Sequence, residues 1–212
     1  MKNDRKITIS VGANRRALNW NAQEMLVSDL WLKLKTPARG NETLAEYMNL
    51  KKGQQDDLKD IGGFVGGSLN GMRRKANNVT GRDIITLDLD NIPAGGTDDI
   101  LRRVDALGCG YCIYSTRKHQ PAAPRLRVLL PLDRTITAEE YEPIARKIGE
   151  YIGLATRQSV AGRRKSAWTQ CRKRYSIRCW KLALWKAAIR DSATPSTLSY
   201  RLIGECASAT PL

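Results

Sequence analysis

The sequence predicts an α+β domain, an α/β sandwich-like arrangement in which a mixed sheet is flanked by helices, followed by an irregular C-terminal tail. Three observations carry this. The clearest segments run strand, helix, strand, loop, strand, helix between Ile84 and Gly153. Apolar residues make up 42% of a 212-residue chain, enough to build a core. Beyond Gly153 the composition changes: from Leu154 onward 12 Lys/Arg stand against 2 Asp/Glu, a net of +10 out of the chain's +15. The chain therefore divides into a domain at 1–153 and a basic, low-order tail at 154–212.

The elements follow in order. Ile7–Val11 reads as a strand, and Met25, Leu26, Leu30 and Leu34 have helical spacing up to Thr36-Pro37, where proline stops a helix. A second helix is expected over Glu42–Asn49. Gly62–Gly67 lacks the Gly-Lys-Ser/Thr of a phosphate loop and reads as flexible or close-packed backbone. Ile84–Asp90 is the plainest strand, apolar, β-branched at its start and closed by Asn91-Ile92-Pro93. Thr97-Asp98-Asp99 opens a helix with a capping threonine and acids in its first turn, and Gly108 ends it. Tyr111–Ser115 and Leu126–Leu130 are strands. Thr137 and Glu140 have capping-box spacing and open a helix that runs to Tyr151. In the tail, Cys179–Arg190 has a possible helical pattern.

Composition also excludes classes. No stretch approaches the ~20 apolar residues of a membrane span, and the N-terminus has no signal-like apolar core, so a cytoplasmic protein with no membrane partner is expected. The five cysteines suggest no disulfide framework. Cys109-Gly-Tyr-Cys112 is half of a zinc spacing without its other half, and is read as structural. A pI near 9.9 points to a polyanionic partner, most simply nucleic acid.

The chemistry concentrates in three segments. Asp88 and Asp90, two apart on a strand, present both carboxylates on one face with Cα atoms roughly 6–7 Å apart. That suits Mg²⁺ or Mn²⁺, which favour oxygen ligands. The next strand ends in Ser115, Thr116, Arg117, Lys118 and His119, the only histidine. Arg125 and Arg127 then alternate with apolar residues, so both guanidinium groups leave one face of a half-buried strand. Cations beside a carboxylate pair suit a triphosphate bound through metal. Arg73, Arg74 and Lys75 form a basic turn that is either simply solvated or in contact with template-strand phosphates.

This order of motifs resembles the archaeo-eukaryotic primase superfamily, in the form found at the front of phage and plasmid replication proteins. The carrying residues are Ile84–Asp90, Ser115–His119 and Arg125–Leu132, with Ile61–Gly67 and Arg73–Lys75 upstream, and the likeness extends over Ile7 to Gly153. The resemblance implies an RRM-like catalytic core and template-directed nucleotide addition. Asp88 and Asp90 would hold the metals and His119 would contact the incoming nucleotide, helped by Ser115, Lys118, Arg125 and Arg127. It also implies a DNA template and primer, nucleoside triphosphates and a replicative helicase as partners. Two departures stand out. A strict S-x-H from Ser115 would need histidine where Arg117 stands. The family's third metal carboxylate is expected beyond Gly153, yet residues 154–190 contain no Asp or Glu, as if the domain were incomplete and the coding frame lost near Leu154. The competing expectations are a non-catalytic basic nucleic-acid-binding or degenerate prophage protein, and a metal-dependent nuclease.

Overall fold

The computed structural model describes residues 4–153. The tail at 154–212, its possible helix at Cys179–Arg190 and the suspected frame change near Leu154 lie outside the described residues.

Two antiparallel sheets share one chain segment. In the first, β1 (Lys6–Gly12) is flanked by β2 (Asn21–Leu26) and β3 (Gly63–Val65). In the second, the order is β4 (Gly67–Leu69), β5 (Val79–Leu89), β7 (Leu126–Ile136) and β6 (Cys112–Ser115). Only Gly66 separates β3 from β4, and it is where the chain passes from one sheet to the other. A Cβ there would lie 2.8 Å from Cβ of Ile84, and one at Gly67 would strike the Gly81 carbonyl. The glycine run is thus close-packed backbone, with strands on both sides that its sequence did not announce.

Helices α1 (Val27–Leu34), α2 (Leu44–Asn49) and α3 (Lys52–Leu58) connect the first sheet's strands. Helix α4 (Thr97–Asp105) joins β5 to β6, and α5 (Ala138–Tyr151) follows β7. Strands β5 and β6 both run antiparallel to β7, so they are parallel to each other, with α4 as the crossover and β7 returning between them. That β-α-β-β-α order is the split β-α-β arrangement of an RRM-like core. The α+β class and flanking helices match expectation. One detail differs: where a mixed sheet was expected, every strand pair among the described residues is antiparallel, because β7 fills the slot between the two parallel strands.

Each face of the second sheet has its own core. Ile85, Leu87 and Leu89 of β5, with Leu126, Val128 and Leu130 of β7, pack against Leu101 and Val104 of α4 and Ile144 and Ile148 of α5. On the opposite face Ile84, Leu129 and Cys112 meet Ile7 and Ile9 of β1 and Leu30 and Trp31 of α1. Each such side chain contributes about 1.5–3 kcal/mol when buried.

Local chemistry explains the ends. Thr137 and Glu140 form the expected capping box, and Thr43 with Glu46 forms another that had not been read. Helix α4 is capped instead by Gly96, so Thr97 is its first helical residue and not its cap. Met25 and Leu26, placed in a helix by their spacing, finish β2, because pairing with β1 from Lys6 to Val11 outcompetes the helical pattern.

The two sheets are fastened by a buried carboxylate. Asp83, 3% exposed, accepts hydrogen bonds from the Thr8 backbone N–H at 2.8 Å, the Thr135 hydroxyl at 2.6 Å and the Arg5 guanidinium. Arg5 also donates to the Leu132 carbonyl at 2.7 Å. Asp83→Ala strands Arg5 and leaves the Thr8 N–H unpaired. It is expected to lower unfolding stability by about 3 kcal/mol, read from urea denaturation, whereas a change below ~1 kcal/mol contradicts this role.

Candidate functional site

At the far end of β5 the two sequence motifs meet across the ladder. Asp88 is in register with Arg127, and Tyr114 on β6 is in register with the same arginine. Arg127 Nε donates to Asp88 Oδ1 at 2.5 Å, and Arg125 Nη1 lies 3.5 Å from Asp90 Oδ1. The antiparallel pairing thus sets the two acids against the two arginines in successive rows, with Leu126, Val128, Leu87 and Leu89 buried on the other face. Burial by itself would weaken the Arg127 cation, yet the bond to Asp88 and the neighbouring Tyr114 hold its pKa above the ordinary arginine value. Burial pushes the Tyr114 phenol up, opposed by Arg127.

Neither ion pair is sealed. The Asp88 and Asp90 side chains are 50% and 56% exposed, and those of Arg127 and Arg125 39% and 37%. Pairs of this exposure contribute about 0–1 kcal/mol, so an incoming ion or phosphate can exchange with them at small cost.

The loop from β6 to β7 carries the remaining candidates. Ser115 closes β6 opposite Leu126, and Thr116 N–H donates to the Arg125 carbonyl at 3.1 Å. His119 Nδ1 lies 3.1 Å from the backbone N of Arg125 and 3.2 Å from its carbonyl oxygen, so either tautomer ties the ring to that residue's backbone. Arg117 stacks 4.6 Å from the Tyr47 ring centre and pairs with Glu42. Lys118 Nζ donates to Gln55 Oε1 at 2.6 Å. Ser115, His119, Arg125, Arg127, Asp88 and Asp90 therefore share one end of the sheet, while Lys118 is turned onto α3. The anchoring by Tyr47 and Gln55 had no sequence signal, since neither lies in a motif. Tyr114, missed as well, was legible as the residue one step before Ser115 on the same strand. Arg73, Arg74 and Lys75 lie elsewhere, in the turn before β5. They lie toward the opposite end of that strand from Asp88.

As a metal site, the end of β5 offers two carboxylates. Among the described residues no group of three or more His, Cys, Asp or Glu side chains is placed to hold an ion. Two half-exposed carboxylates, each with one arginine partner, fit an ion shared with substrate phosphates and water, the usual setting for Mg²⁺, and not a closed protein cage.

The family model described as VapE N-terminal domain matches residues 1–161. No curated protein and no solved structure matches the chain. Among the described residues no helix is long and apolar enough to cross a membrane.

The Cys109/Cys112 spacing is resolved by the fold. Cys112 is buried in the core facing β1, whereas Cys109 packs against the core facing α4 and α5, so the two thiols lie on different sides. Burial pushes both pKa values up to about 11 from an ordinary 9.0. At pH 8.5 both should alkylate at least tenfold more slowly in the folded protein than in urea, as read by peptide mass mapping. Unfolding restores the ordinary thiols, so the folded state holds more protons above pH ~9 and stability falls as pH rises through that window. Equal alkylation rates would contradict their burial.

Proposed function

This chain belongs to the VapE N-terminal domain family, a family associated with phages and plasmids, and from that premise we propose that it is a primase- or polymerase-like nucleotidyltransferase acting in their DNA replication. One observation supports this above all: Asp88 faces Arg127 in register and Asp90 pairs with Arg125 just beyond it, all four partly exposed, at the end of an RRM-like sheet. Carboxylates and guanidinium groups side by side are what a metal-bound triphosphate asks of a site.

In the proposed reaction a primer 3′-hydroxyl attacks the α-phosphorus of a nucleoside triphosphate and pyrophosphate leaves. A divalent ion held by Asp88 and Asp90 would offset charge on the attacking and leaving oxygens. Arg127 and Arg125 exchange their carboxylate partners for phosphate oxygens as the nucleotide enters. His119 and Ser115 orient phosphate oxygens from the adjoining loop. Lys118 joins them only by giving up Gln55. Template, primer and a replicative helicase are the partners this reading requires.

A second reading, a nucleic-acid-binding module without catalysis, draws on a different observation: two acids already neutralised by arginines, with no third ligating group beside them among the described residues. Primer extension in Mg²⁺ and Mn²⁺ separates the two. The parent should extend a primer, and Asp88→Asn with Asp90→Asn should reduce incorporation at least a hundredfold, about 2.7 kcal/mol of barrier, with melting temperature unchanged. Undiminished incorporation by that variant rules out these acids as the metal site. An inactive parent that still binds oligonucleotide favours the second reading.

A further inference from the structure

Most arginines of the domain hold carboxylates: Arg5 with Asp83, Arg15 with Asp56, Asp57 and Asp60, Arg117 with Glu42, Arg134 with Glu140. Two do not. Arg74 lies over the Trp20 ring, 5.2 Å from its centroid, and Arg82 over the Tyr141 ring at 4.6 Å. Neither has a carboxylate partner among the described residues.

Both aromatic platforms are locked. Trp20 donates its indole Nε1–H to the Ala17 carbonyl at 3.2 Å and its backbone N–H to the Met72 carbonyl at 2.7 Å. Its ring lies so close to Gly12 that a Cβ there would sit 2.5 Å away, so only glycine admits it. The Tyr141 hydroxyl bonds both the N–H and the C=O of Thr86, at 3.2 and 3.3 Å. Strand β4 pairs with β5 only between Val79 and Arg82, so this hydroxyl covers backbone on β5 beyond the end of β4. The loop carrying Arg74 is closed at its base by Asn70 N–H to the Asn78 carbonyl at 2.6 Å.

A guanidinium stacked on a fixed ring keeps its N–H edge free and presented, the geometry that suits phosphate. The two cations belong to one hairpin, Arg74 in the loop between β4 and β5 and Arg82 on β5 opposite Gly67, and burial together with Arg74 holds Arg82 below the ordinary arginine pKa, with Tyr141 opposing. Two like charges held together without a counter-ion call for an anion. Arg73 and Lys75 flank them, both exposed.

We propose that Arg74 and Arg82, held flat on Trp20 and Tyr141, form a phosphate-binding corner for the backbone of a nucleic-acid strand. The corner lies roughly 20 Å along β5 from Asp88, too far for one nucleoside triphosphate to occupy both places, so the anion belongs to a polymer. The corner does not depend on the chain being an enzyme, and the test keeps the two apart.

Binding of the full chain to a fluorescein-labelled single-stranded oligonucleotide is followed by anisotropy across a salt series. Each lost phosphate contact lowers the slope of log K against log salt by about 0.7 for single strands. The double variant Arg74→Gln with Arg82→Gln should therefore lose about 1.4 from the slope and weaken binding about tenfold at fixed salt, with its melting temperature kept. Should that variant fail to fold, Arg74→Gln alone, at an exposed position, should still lose about 0.7. The loss of slope is expected whether or not the parent extends a primer, which keeps this test apart from that of the carboxylate pair. An unchanged slope in folded arginine variants overturns the corner. So does arginine-dependent capture of inorganic triphosphate with oligonucleotide binding unaffected, because the site would then serve a free nucleotide.

Discussion

The structure depends on one buried carboxylate. Asp83 draws together an arginine from before β1, a backbone N–H of β1 and a hydroxyl of β7, and so ties the two sheets at the place where the chain crosses between them. The register of β5 on β7 shifts between Arg82 and Ile84, beside this residue. A side chain anchored across that irregularity decides which way the rest of β5 faces. A slip of one residue would turn Asp88 toward α4 and α5 and bury a charge in the apolar core. The arrangement of Asp88 opposite Arg127 thus depends on a contact five residues upstream on the same strand.

From that anchor the strand has two ends with different chemistry. Toward Val79 lie arginines stacked on rings, and toward Leu89 lie aspartates paired with arginines. The middle is apolar on both faces and serves both cores. Strand β5 is therefore a rigid spacer between two polar regions, and rigidity at that scale is what the proposed reading of a nucleic-acid strand and a nucleotide together would use.

Much of this was legible in the sequence. The alternation of Asp88 and Asp90 on one strand and of Arg125 and Arg127 on another showed that each pair shares a face, and the ladder then sets the pairs against each other. The Thr137–Glu140 box showed where α5 begins. What stayed hidden was non-local. Strand β2 exists because β1 offers it an edge, although Ala22, Gln23 and Glu24 have little strand preference. Gly66, read as flexible or close-packed, is the close-packed case, with no room for a Cβ beside Ile84. Lys118 read as a helper at the nucleotide's phosphates and is bonded to Gln55 instead. Asp83 could have been noticed as a lone acid inside an apolar strand, but its three partners come from Arg5, Thr8 and Thr135, which no spacing rule connects. The family match adds the phage and plasmid association and leaves the chemistry to the residues.

A crystal of the protein grown with Mn²⁺ and a non-hydrolysable nucleoside triphosphate bears on the proposed site most directly. Anomalous density between the Asp88 and Asp90 carboxylates, with Arg125 and Arg127 moved onto phosphate oxygens, is the predicted outcome. Both Asp–Arg pairs intact, with no manganese at the end of β5 under saturating ligand, would contradict it.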